Sequence, residues 1–206
     1  MKFDFELPHE WAVEKWESQP IPEEFRVLFP DLTSPNRLAE FFAGRNLIRE
    51  TFKKMGVKDP GWIGRTHAGL PQWPPGYGGS LSHSKNWLAL GITSDEHSLG
   101  IDLQIWFNED QAKKICRRIQ QTTDIKIEII PGQALPEKMT LLFCIFEAIQ
   151  KCLGNRGIPP IPVGLIEWGE VKSNSWTMTA QSGSEKLKIS GFWAGKEDFC
   201  IAFGCL

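Results

Sequence analysis

Three short stretches hold side chains that can do chemistry. In Gly100-Ile101-Asp102-Leu103-Gln104, strand alternation sends Asp102 and Gln104 to one face. An acid placed this way, beside a glycine in an apolar strand, presents a metal ligand or else caps a turn. In Leu141–Lys151, Glu147 is the one acid in a mostly apolar helical run, with Lys151 four residues on along the same face. Such a glutamate ligates, pairs or sits at an edge. The plain alternative is an exposed Glu147–Lys151 pair worth about 0.3–0.5 kcal/mol. Gly78-Gly79-Ser80-Leu81-Ser82-His83-Ser84 offers backbone N–H groups, hydroxyls and an imidazole to a phosphate, although a structural turn histidine is the simpler reading of His83. Neither G-x-x-x-x-G-K-[ST] nor G-x-G-x-x-G occurs, and G-x-S-x-G is absent, so P-loop, Rossmann and serine-hydrolase chemistry are not supported.

The elements that must position these residues are legible in outline. Residues 1–35, with Trp11, Trp16, Phe25 and Phe29 among Pro20, Pro22, Pro30 and Pro35, read as short strands or turns wrapping the surface. Ser34-Pro35 opens a helix in which Leu38, Phe41, Phe42, Arg45, Ile48, Arg49 and Phe52 recur at helical spacing, and Gly56 stops it. Six glycines and three prolines between Gly61 and Gly79 read as a loop. Trp87–Ile92 and Leu99–Leu103 are expected as buried strands joined by a polar turn, Thr93–His97. A second helix starts at Asn108, with acids in its first turn and Lys113, Lys114, Arg117 and Arg118 towards its end. A third spans Thr140–Leu153. Leu165–Val171, Trp176–Ala180, Lys186–Ile189 and Phe199–Phe203 then form an antiparallel meander. Helix then strands, twice over, predicts an α+β chain of two similar halves, 1–103 and 104–206.

Composition narrows the class. The 206 residues carry a formal net charge of −2, so no global positive field points to a nucleic-acid partner. The longest apolar run, Leu141–Phe146, is far short of the roughly 20 residues of a membrane span. An N-terminus that carries acids and no apolar core argues against a secretory signal, and a cytoplasmic protein is expected. Five cysteines without a C-x-x-C pair, and four histidines without ligand spacing to them, read as reduced thiols and not as a zinc site.

In this order the segments resemble the 4′-phosphopantetheinyl transferases, of the enterobactin-synthase-component type. The resemblance lies in Ala39–Arg45 of the first helix, in Gly69-Leu70-Pro71-Gln72-Trp73-Pro74-Pro75-Gly76-Tyr77-Gly78-Gly79-Ser80-Leu81-Ser82-His83-Ser84, in Leu99–Leu103, and in Phe143–Lys151 standing for a Phe-Ser-x-Lys-Glu-x-x-x-Lys helix. It implies a pseudo-dimer of two α/β halves, with the coenzyme A-binding loop in the first and the catalytic helix and antiparallel sheet in the second. The implied activity moves the phosphopantetheine arm of coenzyme A to a serine of an acyl, peptidyl or aryl carrier protein. Adenosine 3′,5′-bisphosphate is released, Mg²⁺ is required, and the setting is siderophore or secondary-metabolite biosynthesis by a monomer. Asp102, Gln104 and Glu147 would stand at the metal. Glu147, or a metal-bound water, would take the serine proton. Ser82, His83, Lys151, Arg65 and Arg45 or Arg49 would bind coenzyme A phosphates.

Two positions depart from that pattern. Gln104 replaces a glutamate, leaving two formal negatives where three are usual. Phe146 replaces a lysine, removing a charge-assisted contact worth about 1.5–3 kcal/mol, or about ten- to a hundredfold in coenzyme A affinity. Arg65 and Lys85 are candidate substitutes. The two departures are the support for an alternative, a catalytically degenerate homologue that binds coenzyme A or a carrier protein. A third class, an interaction scaffold, rests only on the nine tryptophans, most of which burial explains. The Lys113–Arg118 cluster suits an acidic carrier, or is simply a solvated helix end.

Overall fold

A computed structural model describes residues 10–66, 69–94, 98–122, 125–172 and 174–206. Its fold is α+β. The expected turn at Thr93–His97 lies partly outside the described residues.

The first sheet is β1 (Glu10–Lys15), β3 (Trp87–Ser94) and β2 (Tyr77–Ser84), antiparallel in the order β1-β3-β2. α1 (Glu23–Leu28) is a short helix in the stretch expected to hold only strands and turns. Its Phe25 is fully buried among Phe29, Phe42 and Trp62, and this aromatic anchor holds the turn against α2 (Pro35–Lys54). α2 runs from Pro35 at its first position to the expected stop, where Gly56 has φ of 83°. Leu47, Ile48 and Phe52 of α2 pack on Leu88, Leu90 and Ile92 of β3.

The glycine–proline loop ends earlier than expected. β2 begins at Tyr77, so Gly78, Gly79 and the Ser80–Ser84 run are strand and not loop, and His83 is a strand residue. The reason is pairing: Tyr77 to Ser84 all find partners on β3, from Ser94 to Trp87.

The second sheet is antiparallel, with β4 (Leu99–Ile105), β8 (Phe199–Cys205), β7 (Glu185–Gly195), β6 (Ser175–Ser182) and β5 (Ile166–Val171) in that order. The expected meander is therefore present. β4 also belongs to this sheet, and a division at 103/104 passes through it. α3 (Glu109–Gln120) starts at Asn108 with a reciprocal cap: Asn108 Oδ1 accepts from Gln111 N at 2.9 Å, and Gln111 Oε1 accepts from Asn108 N at 3.0 Å. α4 (Leu135–Gly154) begins five residues before Thr140, because Pro136 suits a helix start and Glu137 Oε2 accepts from Gln133 N at 2.6 Å.

α4 lies on β4 and β8, with Leu142, Ile145 and Ile149 in the core under Trp176 and Ile189. Its approach to β4 is set by Gly100, where an added Cβ would stand 1.8 Å from Ala148 O. Only glycine lets the helix descend that far, and this brings Glu147 and Lys151 down onto Asp102.

The two sheets are joined by hydroxyls. β4 is an edge strand whose outward N–H groups need acceptors. Ser80 Oγ accepts from Ile101 N at 2.9 Å, Ser82 Oγ from Leu103 N at 3.1 Å, and Ser84 Oγ from Ile105 N at 3.2 Å. Period-two spacing in β2 thus turns three serines to β4 and leaves Leu81 and His83 on the opposite face.

Candidate functional site

Asp102 is 6% exposed, and its two oxygens have different surroundings. Oδ1 accepts from Ser82 Oγ at 2.8 Å and from Lys151 Nζ at 2.7 Å. Oδ2 is buried and accepts no hydrogen bond among the described residues. Lys151, expected as one half of an exposed pair with Glu147 or as a phosphate ligand, makes its ion pair with Asp102. Glu147 is half-buried and its carboxyl is pushed up, first by burial and next by the nearby Asp102 charge, with Lys151 acting in the opposite sense. Gln104 is half-buried, and its Nε2 donates to Ile105 O at 3.2 Å, leaving Oε1 as the group able to face a ligand.

Among the described residues no cluster of three or more His, Cys, Asp or Glu side chains is placed to hold a metal. Two carboxylates are nevertheless close enough for one to raise the other's pKa, and one buried carboxylate oxygen is unpartnered. That donor set fits a hard divalent cation such as Mg²⁺, which needs only one or two carboxylates when substrate phosphates complete its shell. The thiol of Cys144, one turn before Glu147, is raised well above its ordinary value by burial first, then by Cys200 and Asp102, so no thiolate competes for the ion. All five cysteines are unpaired.

Lys151 also lines a cleft of about 340 Å³ between α2, the glycine–proline loop, β2 and the end of α4. Arg45 in this cleft is 3% exposed, with its guanidinium 4.3 Å from the Phe41 ring and Nη2 donating to Gly64 O at 3.4 Å. Burial alone lowers its pKa to about 10, so it is a desolvated cation at neutral pH, and its Nε has no partner. Arg65 lines the same cleft and pairs with Asp31. His83 stands exposed at the cleft, its Nδ1 3.5 Å from Glu40 Oε1.

Two expected phosphate ligands are placed elsewhere. Arg49 lays its guanidinium 4.6 Å from the Trp62 ring and does not line the cleft. Ser82 is 3% exposed and its hydroxyl is fully used: it donates to Asp102 and accepts from Leu103 N and, at 3.0 Å, from Lys151 Nζ. With one proton and two lone pairs engaged, nothing is left for a phosphate. Of the candidate replacement cations, Arg65 is in the cleft, and Lys85 sits at the β2–β3 turn with φ of 51°.

The sequence reading missed Arg37 and Asn155. Arg37, Phe41 and Arg45 repeat at four-residue spacing along α2, one stripe facing the cleft, and that periodicity was the available signal. Asn155 Nδ2 donates to Gly79 O at 2.8 Å and Leu99 O at 2.6 Å, closing the junction of β2, β4 and α4. No local pattern marks it. Beyond Glu147 lies a second cavity of about 370 Å³, mostly apolar, where Phe146 faces Ile115, Ile119 and Trp168. The lysine expected at Phe146 would be out of place there.

Residues 31–92 match the family model described as the 4′-phosphopantetheinyl transferase N-terminal domain. Over 103 residues the chain is 31% identical to 4′-phosphopantetheinyl transferase Svp of Streptomyces mobaraensis, across 46% of this chain and 42% of that relative's length. The family-model match takes in α2, the glycine–proline loop and β2, the elements that wall the cation-lined cleft. Over these residues the chain is similar to the 4′-phosphopantetheinyl transferases, and it spans less than half the length of the relative it matches.

Proposed function

We propose that this protein transfers the 4′-phosphopantetheine arm of coenzyme A to a serine hydroxyl of an apo carrier protein and releases adenosine 3′,5′-bisphosphate. The observation that carries the reading is Lys151, which stands in the wall of the cationic cleft and on the metal-competent carboxylate at once. Arg45, Arg65 and His83 would hold the phosphates of the nucleotide end, and Arg45 is the strongest of these because its buried charge meets no carboxylate among the described residues. Asp102 and Glu147, with Gln104 alongside, would hold Mg²⁺, which when bound supplies neutralisation of the diphosphate charge. Glu147 takes the serine proton, its raised pKa bringing its basicity closer to neutral pH. The serine oxygen forms a bond to the phosphorus that carries the pantetheine, and the bond from that phosphorus to the bridging oxygen breaks. Lys151 then leaves Oδ1 of Asp102 to neutralise the departing nucleotide phosphate.

The resemblance extends this reading to the enterobactin-synthase-component type, acting as a cytoplasmic monomer on acyl, peptidyl or aryl carriers in siderophore or secondary-metabolite biosynthesis. In its pseudo-dimer form, α2 on the first sheet and α4 on the second are the two halves. No helix among the described residues is long and apolar enough to cross a membrane.

A second reading, a degenerate homologue that binds coenzyme A or a carrier, draws on Gln104, whose amide is tied to Ile105 O, and on Phe146 in the apolar cavity. Mass spectrometry of apo carrier protein incubated with coenzyme A and Mg²⁺ separates the two. A gain of one phosphopantetheine arm supports transfer. Calorimetric binding of coenzyme A without that gain supports the second reading and overturns the first.

A further inference from the structure

Ser80, Ser82 and Ser84 do the same work for β4, each accepting one backbone N–H from it. Ser82 has a second contact that its neighbours lack. Its proton goes to Asp102 Oδ1 at 2.8 Å, and Lys151 Nζ, 3.0 Å away, donates to its oxygen while also reaching Oδ1 at 2.7 Å. The hydroxyl, the ammonium and Oδ1 form a closed triangle, and the other oxygen, Oδ2, is buried and accepts no hydrogen bond among the described residues. A carboxylate gripped on one oxygen cannot rotate freely about its terminal torsion, which is otherwise broad. The hydrogen bond from Leu103 N holds Ser82 itself in register, so the grip is anchored to the backbone of the strand that carries Asp102.

We propose that Ser82 is a positioning residue that holds Asp102 by Oδ1 and so reserves Oδ2 for a divalent cation. Through it the strand that lines the cationic cleft is tied to the strand that carries the metal-binding carboxylate. The inference rests on the transferase reading only in taking Asp102 as a metal ligand, and its test needs neither coenzyme A nor a carrier.

The full chain is titrated with Mn²⁺ and free Mn²⁺ is read by electron paramagnetic resonance, for wild type, Asp102→Asn, Ser80→Ala, Ser82→Ala and Ser84→Ala. Melting temperatures are measured on the same samples. Loss of a seam hydroxyl is expected to lower the melting temperature in all three alanine variants. Only Ser82→Ala is expected to weaken Mn²⁺ binding, by about tenfold, the lower end for loss of an outer partner of a metal ligand. Should Ser82→Ala not fold, Ser82→Cys, which keeps the shape with a much weaker donor, is read in its place with the same expectation. Equal Mn²⁺ affinity in wild type and the Ser82 variant overturns the positioning role and leaves the metal site standing. Equal weakening in all three alanine variants also overturns it, reducing Ser82 to one stitch of the seam. Mn²⁺ binding that is absent from wild type, or indifferent to Asp102→Asn, overturns the metal-site reading and this proposal together.

Discussion

Replacing Arg45 with methionine should make the free protein no less stable while removing much of its affinity for coenzyme A. The guanidinium is 3% exposed, and burial alone lowers its pKa from its ordinary value to about 10. At 1.36 kcal/mol per pKa unit, holding that charge out of water costs the free protein about 3 kcal/mol. Against this stand one long hydrogen bond, to Gly64 O at 3.4 Å, and a ring contact with Phe41 at 4.3 Å. Together these are worth about 1–2 kcal/mol. Methionine fills similar length with a flexible apolar chain and keeps contact with the ring. The expected net change in unfolding free energy is between zero and about 2 kcal/mol in favour of the variant, read by urea denaturation at pH 7. The sign with pH follows: the folded protein sheds this proton before the unfolded chain does, so the penalty is fully present at pH 7 and lifts only above about pH 10. Binding moves the other way. A lost charge-assisted bond to phosphate is worth about 1.5–3 kcal/mol, about ten- to a hundredfold in Kd by calorimetry with adenosine 3′,5′-bisphosphate. A variant that loses 2 kcal/mol or more of stability and binds the nucleotide as wild type does would refute the reasoning, since Arg45 would then be a structural cation.

Glu147 predicts a pH effect. Its raised carboxyl should place the acid limb of kcat/KM above the ordinary carboxylate range, and Glu147→Gln should abolish turnover. The folded state keeps that proton longer than the unfolded chain, so Glu147 lowers stability as pH rises from 4.5 through the folded value. Urea midpoints of Glu147→Gln across that window should lose this component, and an unchanged slope would count against the assigned burial. Gly100→Ala forces a Cβ to within 1.8 Å of Ala148 O, so α4 must lift from β4. Overpacking costs typically about 1–3 kcal/mol and this contact lies at or beyond the upper end, so a near-wild-type urea midpoint would show that the helix approach is not set there. Gln104→Glu adds a third carboxylate to the face of Asp102 and should lower the Mg²⁺ concentration for half-maximal activity several-fold. An unchanged Mg²⁺ dependence would place Gln104 outside the metal shell.

Where a signal is local, the sequence carried it. Apolar spacing with Pro35 and Gly56 marks α2, Asn108 followed by the acids Glu109 and Asp110 marks the start of α3, and alternation after Val163 marks the meander, because caps and periodicity act over a few residues. The types of residue at the site were legible for the same reason: Asp102, Glu147 and Lys151 are the conspicuous charges in apolar runs. Which of them meet was not. The glycine–serine run that reads as a phosphate loop is a strand because β3 lies beside it, and Ser82 is turned from a phosphate ligand into a holder of Asp102 because β4 presents unpaired N–H groups to its hydroxyl. Lys151, the natural partner of Glu147 by helical spacing, is claimed by Asp102 of β4, since Gly100 lets α4 settle close enough to that strand for Lys151 Nζ to stand 2.7 Å from Asp102 Oδ1. The sequence by itself determined α2, α3, the meander and the stock of reactive groups. The pairing of those groups was decided by the tertiary structure alone, because a hydroxyl or an ammonium takes its partner from whatever backbone edge or carboxylate long-range packing sets against it, and packing is not written in any local run of residues.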